Sequence, residues 1–434
     1  MRRLQSHGWK GVNKMEGIKK KSYYHWVILI SCVLVLMFSY STRFACATLF
    51  TAPILEELGF ARSAYFLGST IACLVCMVTS PIVGRLMRGK YMHITFVICS
   101  IGVALFYPCA GLCHTLPQFY LVSFLQGFFA MGACTIPTTT LITNWFEKHR
   151  GLAISIVMSG ISIGGTVLSP IVSYLINTQG WRKAYFWLGV MMMCVLAPIS
   201  IFIVRRTPEE MGLLPYGHGE IQENSKKNKV NSVNSWNADL KTLKKTGFFW
   251  VFIFGATAIS IVSCMLGHIP VYVQGTGYNA AVATSVISLI SFIGIFGKLI
   301  LGHIFDRFGS KAGIICGNFA FLLSLVCLLF ITNKFVLYSA SALYGFGNCV
   351  ATIAIPILIT SSFGAKYYSE IYGFVSIFTM FGGAFGSPLI GLCYDLTGSY
   401  IFALLLLIGL AILMTGALLY SIRAGEKRQR SKTS

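Results

Sequence analysis

Long apolar stretches alternate with short polar segments along almost the whole chain. A membrane-crossing helix needs about 20 mostly apolar residues, and twelve stretches meet this requirement. Glycine and proline recur within them, which membrane helices tolerate because neighbouring helices satisfy the freed backbone groups. The predicted spans are 26–48, 64–86, 92–113, 118–142, 152–176, 184–204, 248–273, 281–304, 312–332, 335–361, 371–394 and 400–422.

The composition excludes most other classes of protein. The 434 residues are 56% hydrophobic and 11% charged, with a formal net charge of +21. Soluble domains are about 25% charged, and disordered chains lack this hydrophobicity. The basic residues lie between apolar stretches rather than in one patch, so no nucleic-acid partner is expected. The pair Cys73-x-x-Cys76 lies within a span without a second ligand pair, which predicts packing rather than a metal site.

The distribution of basic residues predicts the orientation. Segments on the side of the N-terminus carry 28 of the 34 Lys and Arg residues, and those on the other side carry 4. By the positive-inside rule, both termini are cytoplasmic. The two remaining cations, Arg43 and Lys298, lie inside predicted spans.

The chain repeats itself with an offset of 218 residues. Gly84 maps to Gly302, and Gly127-Phe128 maps to Gly345-Phe346. Ser169-Pro170 maps to Ser387-Pro388 in the same way. Each half contains six spans, so the halves share one orientation, an arrangement that places two bundles around a central site. The predicted organisation is a basic N-terminus (1–25), a first bundle (26–204), a mobile linker (205–247), a second bundle (248–422) and a basic tail (423–434).

One loop motif resembles the major facilitator superfamily. The segment Gly302-His-Ile-Phe-Asp306-Arg307-Phe-Gly309-Ser-Lys311 matches the family's loop pattern Gly-x-x-x-Asp-Arg-x-Gly-x-Arg/Lys. The equivalent first-half loop has Arg88 where the Asp is expected. The resemblance implies an all-α membrane protein of twelve helices in two six-helix bundles.

Three further stretches resemble the monocarboxylate transporters and the bacterial oxalate:formate antiporters. They are 145–153 leading into Gly160-x-x-x-Gly164-Gly165, then 180–185, then 207–215. The resemblance implies that Arg43, after Phe38-Ser39-Tyr40-Ser41-Thr42, and Lys298 bind the substrate carboxylate. The family's acid in the eighth helix falls on Gly294, and the antiporters' second cation falls near Met380.

The charges within the spans support an anionic substrate independently of this resemblance. A charge at mid-membrane costs at least ~2.5–3.5 kcal/mol and usually faces a partner or a wet cavity. All thirteen acids lie outside the predicted spans or at their ends. The simplest counterion for Arg43 and Lys298 is therefore the substrate, although either side chain is also placed to extend to the membrane surface.

Other polar residues inside the spans are weaker candidates. Tyr40, Gln126, Tyr344 and Asn348 are predicted to line the cavity, with helix–helix hydrogen bonding as the alternative. His268 is a candidate for proton coupling because histidine titrates near neutral pH; the alternative is an interfacial histidine. The loop resemblance and the positive end of a helix make Asp306, Arg307 and Arg150 candidates for gating.

The function predicted is secondary transport of a small organic anion, monocarboxylate-like, by proton symport or anion exchange. The expected partners are this anion, protons and the lipid bilayer, without a cofactor or metal. The protein is expected to be a monomer in the plasma membrane and not an enzyme, since the spans contain no paired acids or nucleophile–base arrangement. The alternatives are a solute receptor that does not transport and a carrier for another substrate, such as a drug.

Overall fold

The computed structural model describes residues 23–44, 46–218, 238–331 and 333–431. The long helices of these segments are numbered α1 to α12, and four of them are interrupted. They are α1 (Tyr24–Ser39, Ser41–Phe44 and Ala47–Leu58), α2 (Arg62–Arg88), α3 (Met92–Phe106), α4 (Leu116–Ala133 and Thr135–Trp145), α5 (Arg150–Gln179), α6 (Trp181–Pro198), α7 (Gly247–Ser263 and Met265–Gly275), α8 and α9 (together Ala280–Leu329), α10 (Lys334–Gly347 and Cys349–Phe363), α11 (Tyr368–Thr397) and α12 (Tyr400–Ser431).

A bend at Gly309 separates α8 from α9. Eleven helical stretches in the described part of the chain are long and apolar enough to cross a membrane, and one of them, Ala281–Leu329, has 49 residues. That length exceeds one crossing, which needs about 20 residues. Gly309 lies in the left-handed region, with φ of 82°, so α8 comprises residues 280–308 and α9 residues 310–329. The described residues thus form twelve helices at the positions of the twelve predicted spans, of which residues 45 and 332 lie outside the described part of the chain.

The helices pack as two bundles, α1–α6 and α7–α12. The main contacts between the bundles join α2 to α11 and α5 to α8. Because the number of crossings is even, α1 begins and α12 ends at the same membrane face, which is called the terminal face below. Large apolar side chains remain exposed on the outside, including Val78 (68%) and Phe335 (79%). Lipid contact accounts for such exposure, because the bilayer interior is as apolar as these side chains.

The interruptions in α1, α4, α7 and α10 occur in matching pairs. Ser39 at the end of the first α1 segment donates to the Ala133 carbonyl at the α4 interruption, at 2.9 Å. In the second bundle, Ser263 of α7 donates to Asn348 Oδ1 at the α10 interruption, at 2.5 Å. Side-chain hydrogen bonds thus join neighbouring helices where the backbone hydrogen bonds of each helix are interrupted. They offset part of the free energy lost at the interruption.

The structure adds detail at two of the predicted boundaries. Helix α12 continues beyond the predicted span, which ends at residue 422, into the predicted basic tail and ends at Ser431. The start of the predicted linker contacts the first bundle, where the Tyr216 amide donates to the Trp145 carbonyl at 2.9 Å. Its far end is also held, since the Ala238 amide donates to the Phe363 carbonyl at 3.1 Å. Residues 219–237 lie outside the described residues.

Candidate functional site

Helix α5 packs closely against α1 at mid-membrane. A Cβ atom at Gly160 would lie 2.5 Å from the Val33 carbonyl oxygen, and one at Gly164 would lie 2.5 Å from the Met37 carbonyl oxygen. Only glycine leaves room for this approach, which is how small residues bring membrane helices together. The Ser41 hydroxyl then donates to the Ile161 carbonyl at 2.8 Å. This contact fixes the level of Arg43, two residues further along α1.

Arg43 is half-buried and interacts with residues of α1 and α2. Its side chain interacts with the Cys76 thiol of α2 and lies near the Tyr40 hydroxyl. Tyr40 in turn lies near Tyr372 of α11, in the opposite bundle. The guanidinium is thus surrounded by polar groups of the first bundle, and its planar fork has a shape that suits a carboxylate.

Lys298 of α8 is almost completely buried, with 5% of the residue exposed. Its Nζ donates to the Ser162 hydroxyl at 2.8 Å and to the Met158 carbonyl at 3.2 Å, both on α5. Both acceptors are neutral, so they satisfy hydrogen bonds of the ammonium without neutralising its charge. A buried cation held in this way favours an anion that replaces these acceptors.

Helix α5 packs against α1, which carries Arg43, and against α8 of the opposite bundle, which carries Lys298. The α1 contact that precedes Arg43 falls on Ile161, and the Lys298 contact falls on the next residue, Ser162. Lys298 itself contacts α5, whereas the residues named here as neighbours of Arg43 lie on α1 and α2. Ser162 is a member of this arrangement that the sequence analysis missed, because a single serine in a membrane helix carries no distinguishing signal.

The remaining predicted cavity residues are held within their own bundles. Tyr344 has no exposed surface, and its hydroxyl donates to the Ser263 carbonyl at 3.2 Å. Gln126 Nε2 donates to the Phe106 carbonyl at 3.5 Å. Asn348 accepts from Ser263, as described above. Such helix–helix hydrogen bonds are the alternative role predicted for these residues, and Tyr344 is fully buried among the helices of its bundle.

His268 lies near the end of α7 that is remote from the terminal face. Its Nε2 is 3.0 Å from the Ser387 hydroxyl of α11, and its Nδ1 is 3.4 Å from the Tyr400 hydroxyl of α12. Both ring nitrogens therefore have partners within the second bundle. The structure does not bring His268 together with Arg43 and Lys298 through any described contact.

Asp306 joins the two bundles at the terminal face. Its Oδ1 accepts from the Gly151 amide at 2.7 Å and its Oδ2 accepts from the Leu152 amide at 2.8 Å. These amides open α5, where the unpaired N–H groups and the helix dipole favour an anion. A Cβ atom at Gly151 would lie 2.6 Å from Oδ1, so glycine is needed there.

The other two predicted gating residues contact their own bundles. Arg150 donates from Nε to the Phe146 carbonyl at 2.8 Å and from Nη2 to the Thr143 carbonyl at 3.2 Å. It thereby covers the negative end of α4, which places its charge favourably. Arg307 lies over the ring of Phe308, with its Cζ 5.5 Å from the ring centroid. Of the three, Asp306 makes the described hydrogen bonds between bundles.

A second connection at the terminal face is related to the first by the internal repeat. Arg88 occupies the position equivalent to Asp306, and Glu370 occupies the position equivalent to Leu152, each 218 residues apart. Arg88 Nη1 donates to Glu370 Oε2 at 2.7 Å. The same pair of repeat positions is thus in contact on both sides of the interface, but the charges are reversed. In one contact the acid Asp306 binds the start of α5, and in the other the base Arg88 binds the acid Glu370.

The comparison with known protein families agrees with this architecture. The model of the Major Facilitator Superfamily matches residues 29–312 and 295–434. The chain belongs to the Major Facilitator Superfamily. This is a family of transporters.

Named relatives of this major facilitator protein include monocarboxylate transporters. It is 24% identical to "Monocarboxylate transporter 12" of Homo sapiens over 94% of its own length and 82% of the relative's. Its identity to the Xenopus laevis protein of the same name is 26%, over 88% and 85% of the two chains. It is 23% identical to "Monocarboxylate transporter 2" of Homo sapiens, over 94% and 88%. At these identities the chain resembles the group.

A solved structure supports the same fold. The major facilitator protein matches the proton:xylose symporter XylE, bound to 6-bromo-6-deoxy-D-glucose, with a TM-score of 0.70. The match covers 93% of this chain and 96% of XylE at 13% sequence identity. At this identity the likeness shows the fold alone.

Proposed function

We propose that this protein is a secondary transporter of a small organic anion of the monocarboxylate type. The observation that carries the proposal is the buried cation Lys298 of α8, whose described acceptors on α5 are neutral. We assign Arg43, on α1 of the opposite bundle, as the second cation of the site. A carboxylate between them would gain charge-assisted hydrogen bonds from both bundles. The similarity to proteins named monocarboxylate transporters supports the same substrate class.

The proposed mechanism is alternating access between the two bundles. The described hydrogen bonds between the bundles lie at mid-membrane or toward the terminal face, including Ser80 Oγ to the Gly373 carbonyl at 2.6 Å. The positive-inside distribution makes the terminal face cytoplasmic. We therefore interpret the described conformation as closed toward the cytoplasm, with substrate arriving from outside. The substrate carboxylate would replace Ser162 and Met158 at Lys298, releasing α8 from α5.

Coupling follows either of two schemes, and His268 is the residue we assign to the first. In proton symport, His268 would take up the proton and change its hydrogen bonds to Ser387 and Tyr400. In anion exchange, Lys298 would require an anion for either gate to move, consistent with Gly294 in place of the family's acid. The protein would act as a monomer in the plasma membrane.

Uptake in proteoliposomes tests the proposal. Labelled lactate, pyruvate, formate and oxalate are offered with and without an inward proton gradient, and with and without the same anion inside. Wild-type uptake of at least one monocarboxylate is expected to fall by at least tenfold in Arg43→Gln, because a lost charge-assisted hydrogen bond costs ~1.5–3 kcal/mol. Lys241→Gln, which replaces an exposed cation outside the bundles, serves as the control.

The outcomes distinguish the alternatives. Stimulation by the proton gradient supports symport, and a requirement for internal anion supports exchange. Saturable binding of a carboxylate without uptake would favour a solute receptor. If no acid is bound or moved, the anion-site proposal is wrong, and a substrate of another class, such as a drug, becomes the leading candidate.

A charge exchange tests whether the Arg88–Glu370 pair acts as a gate. Arg88→Glu and Glu370→Arg each place like charges together, whereas the double variant restores the attraction. Each single variant is expected to speed amide exchange in the first turns of α11, by about twofold to fivefold, since a partly exposed pair is worth ~0.2–1 kcal/mol. The double variant is expected to return toward wild type. Effects that simply add would contradict a direct interaction.

A further inference from the structure

The segment that follows α6, residues 204–218, runs across the terminal face of the first bundle and is called the strap below. Near its start, Arg206 Nη2 donates to the Arg88 carbonyl at the end of α2, at 3.2 Å. Further along, the Leu214 carbonyl lies 3.0 Å from His25 Nε2, at the start of α1. The strap thus contacts two helices of the first bundle where they reach the terminal face.

The far end of the strap packs against the loop that leads from α4 into α5. The Tyr216 carbonyl accepts from the Glu147 amide at 3.1 Å and from the Lys148 amide at 3.0 Å, and the Tyr216 amide donates to the Trp145 carbonyl. Next to these bonds, His218 Nδ1 lies 2.7 Å from Glu147 Oε2. Three backbone hydrogen bonds and one side-chain contact therefore join the strap to this loop.

The close approach of the strap to this loop depends on a glycine. Gly217 lies in the left-handed region, with φ of 86°. A Cβ atom at this position would lie 2.2 Å from the Cβ of Lys148. Glycine adopts such a backbone without strain and has no side chain to collide. Any larger residue at position 217 would therefore push the strap away from the loop.

The residue between this loop and α5 is held in a strained conformation. His149 has a left-handed backbone, with φ of 55°, which residues other than glycine rarely adopt. Such strain persists where the surrounding contacts hold the chain in place. The strap supplies contacts of this kind to the two residues before His149. The amides of Gly151 and Leu152, which bind Asp306, follow directly, so the strap helps to fix where α5 begins.

Two charged connections between the bundles at the terminal face adjoin the strap. The first is the Arg88–Glu370 pair, and Arg206 of the strap binds the Arg88 carbonyl. The second is the Asp306 carboxylate at the start of α5, and Tyr216 of the strap binds the loop that leads into this helix. The strap therefore contacts, from the side of the first bundle, both of the elements that make these connections.

We propose that the strap positions both connections and thereby controls the opening of the terminal face. While the strap is in place, the end of α2 and the start of α5 are held where they meet the second bundle. Displacement of the strap would free the loop that holds His149, move the Gly151 and Leu152 amides away from Asp306 and weaken closure. This role rests on the proposed alternating access and makes the strap a positioning element outside the anion site.

Hydrogen exchange of the full-length protein in nanodiscs, without substrate, tests the proposal. Gly217→Ala is expected to speed amide exchange at the start of α5 by about tenfold, because three neutral hydrogen bonds are together worth at least that factor. Exchange at the start of α11 should change in the same direction. Gly59, at the far end of α1, also has a left-handed backbone, with φ of 67°, and open space for a Cβ atom. Gly59→Ala is therefore the matched control for backbone strain.

A double variant shows whether the strap acts through the Asp306 contact. Asp306→Ala removes the carboxylate, so adding Gly217→Ala to it should change exchange at the start of α11 much less than Gly217→Ala does alone. Effects that add would assign the strap a structural role that is independent of the gate and would overturn the proposal. Faster exchange confined to the strap itself, with both helix starts unchanged, would overturn it as well.

A variant at the other end of the strap decides the matter if Gly217→Ala does not fold. Arg206→Met removes the donor to the Arg88 carbonyl and keeps the length of the side chain. It is expected to speed exchange at the start of α11 by about twofold to tenfold, the worth of one hydrogen bond. No change there in the folded variant would contradict the proposal. Because transport is not measured, such a failure would leave the proposed function standing.

Discussion

Replacement of Lys298 by methionine is expected to weaken the affinity of saturable anion uptake by about tenfold to a hundredfold while leaving the protein at least as stable as the wild type. Lys298 is 5% exposed as a residue, and the described partners of its ammonium are the neutral oxygens of Ser162 and Met158. A cation within the membrane costs at least ~2.5–3.5 kcal/mol, and methionine of similar length removes that cost. The lost carboxylate contact is worth ~1.5–3 kcal/mol, or about tenfold to a hundredfold in affinity.

The measurement pairs uptake in proteoliposomes with the midpoint of thermal unfolding. Lys298→Arg, which keeps the charge, is expected to retain part of the activity, whereas Lys241→Gln should match the wild type in both measurements. A Lys298→Met protein that unfolds at lower temperature would indicate a structural role between α5 and α8. Normal uptake by that variant would show that the substrate does not use Lys298.

Replacement of Asp306 by alanine is expected to open the terminal face. The carboxylate accepts two short hydrogen bonds from the Gly151 and Leu152 amides, and each charge-assisted bond is worth ~1.5–3 kcal/mol. Losing even half of the combined free energy of these two hydrogen bonds shifts the equilibrium between the closed and open terminal face by about tenfold or more. Hydrogen exchange followed by mass spectrometry should show faster exchange at the start of α5.

Amide hydrogen exchange at the start of α11, away from Asp306, distinguishes opening of the gate from loss of a local helix cap. If the gate opens, the start of α11 should also exchange faster, because Gly373 there accepts from Ser80 across the same interface. If only a helix cap is lost, the change stays within the first turn of α5. Asp395→Ala removes an exposed acid at the other end of α11 and is the control. Unchanged exchange at both helix starts would contradict a latch at Asp306.

The number of membrane helices follows from the apolar stretches alone. The length requirement of about 20 residues is strict because unpaired backbone groups are costly in lipid. It predicted α8 and α9 as separate spans, and the structure has a bend between them at Gly309, where the backbone is not helical. The end of α12 was missed because residues beyond 422 are basic, and hydropathy does not detect a helix that continues into water.

The sequence does not predict in the same way whether an individual polar residue faces the other bundle or its own. Helices surrounded by lipid and protein are apolar on all faces, so periodicity does not show which face meets the partner bundle. Gln126 and Tyr344 matched each other in the repeat, yet each has its hydrogen bond inside its own bundle. Arg43 and Lys298 stood out because charge in a membrane is costly, and that cost is a stronger signal than polarity.

Contacts that depend on both halves were also hidden. Glu370 lies at the end of a span, where acids are common, and nothing in its own neighbourhood marks it as the partner of Arg88. Its role emerges only when the repeat is combined with the interface, since the 218-residue offset relates Arg88 to Asp306 and Glu370 to Leu152. The internal repeat identified the two halves but did not show which partners the residues at equivalent positions contact.

The reversed charge at Arg88 also determines which halves associate with each other. Two copies of the first bundle facing one another would set Arg88 against the amides of Gly151 and Leu152, so a cation would meet the positive end of a helix. Two copies of the second would set Asp306 against Glu370. Both self-pairings are disfavoured, whereas the natural pairing places opposite charges together at both contacts. If the two halves are produced as separate chains, they should therefore assemble as a mixed pair.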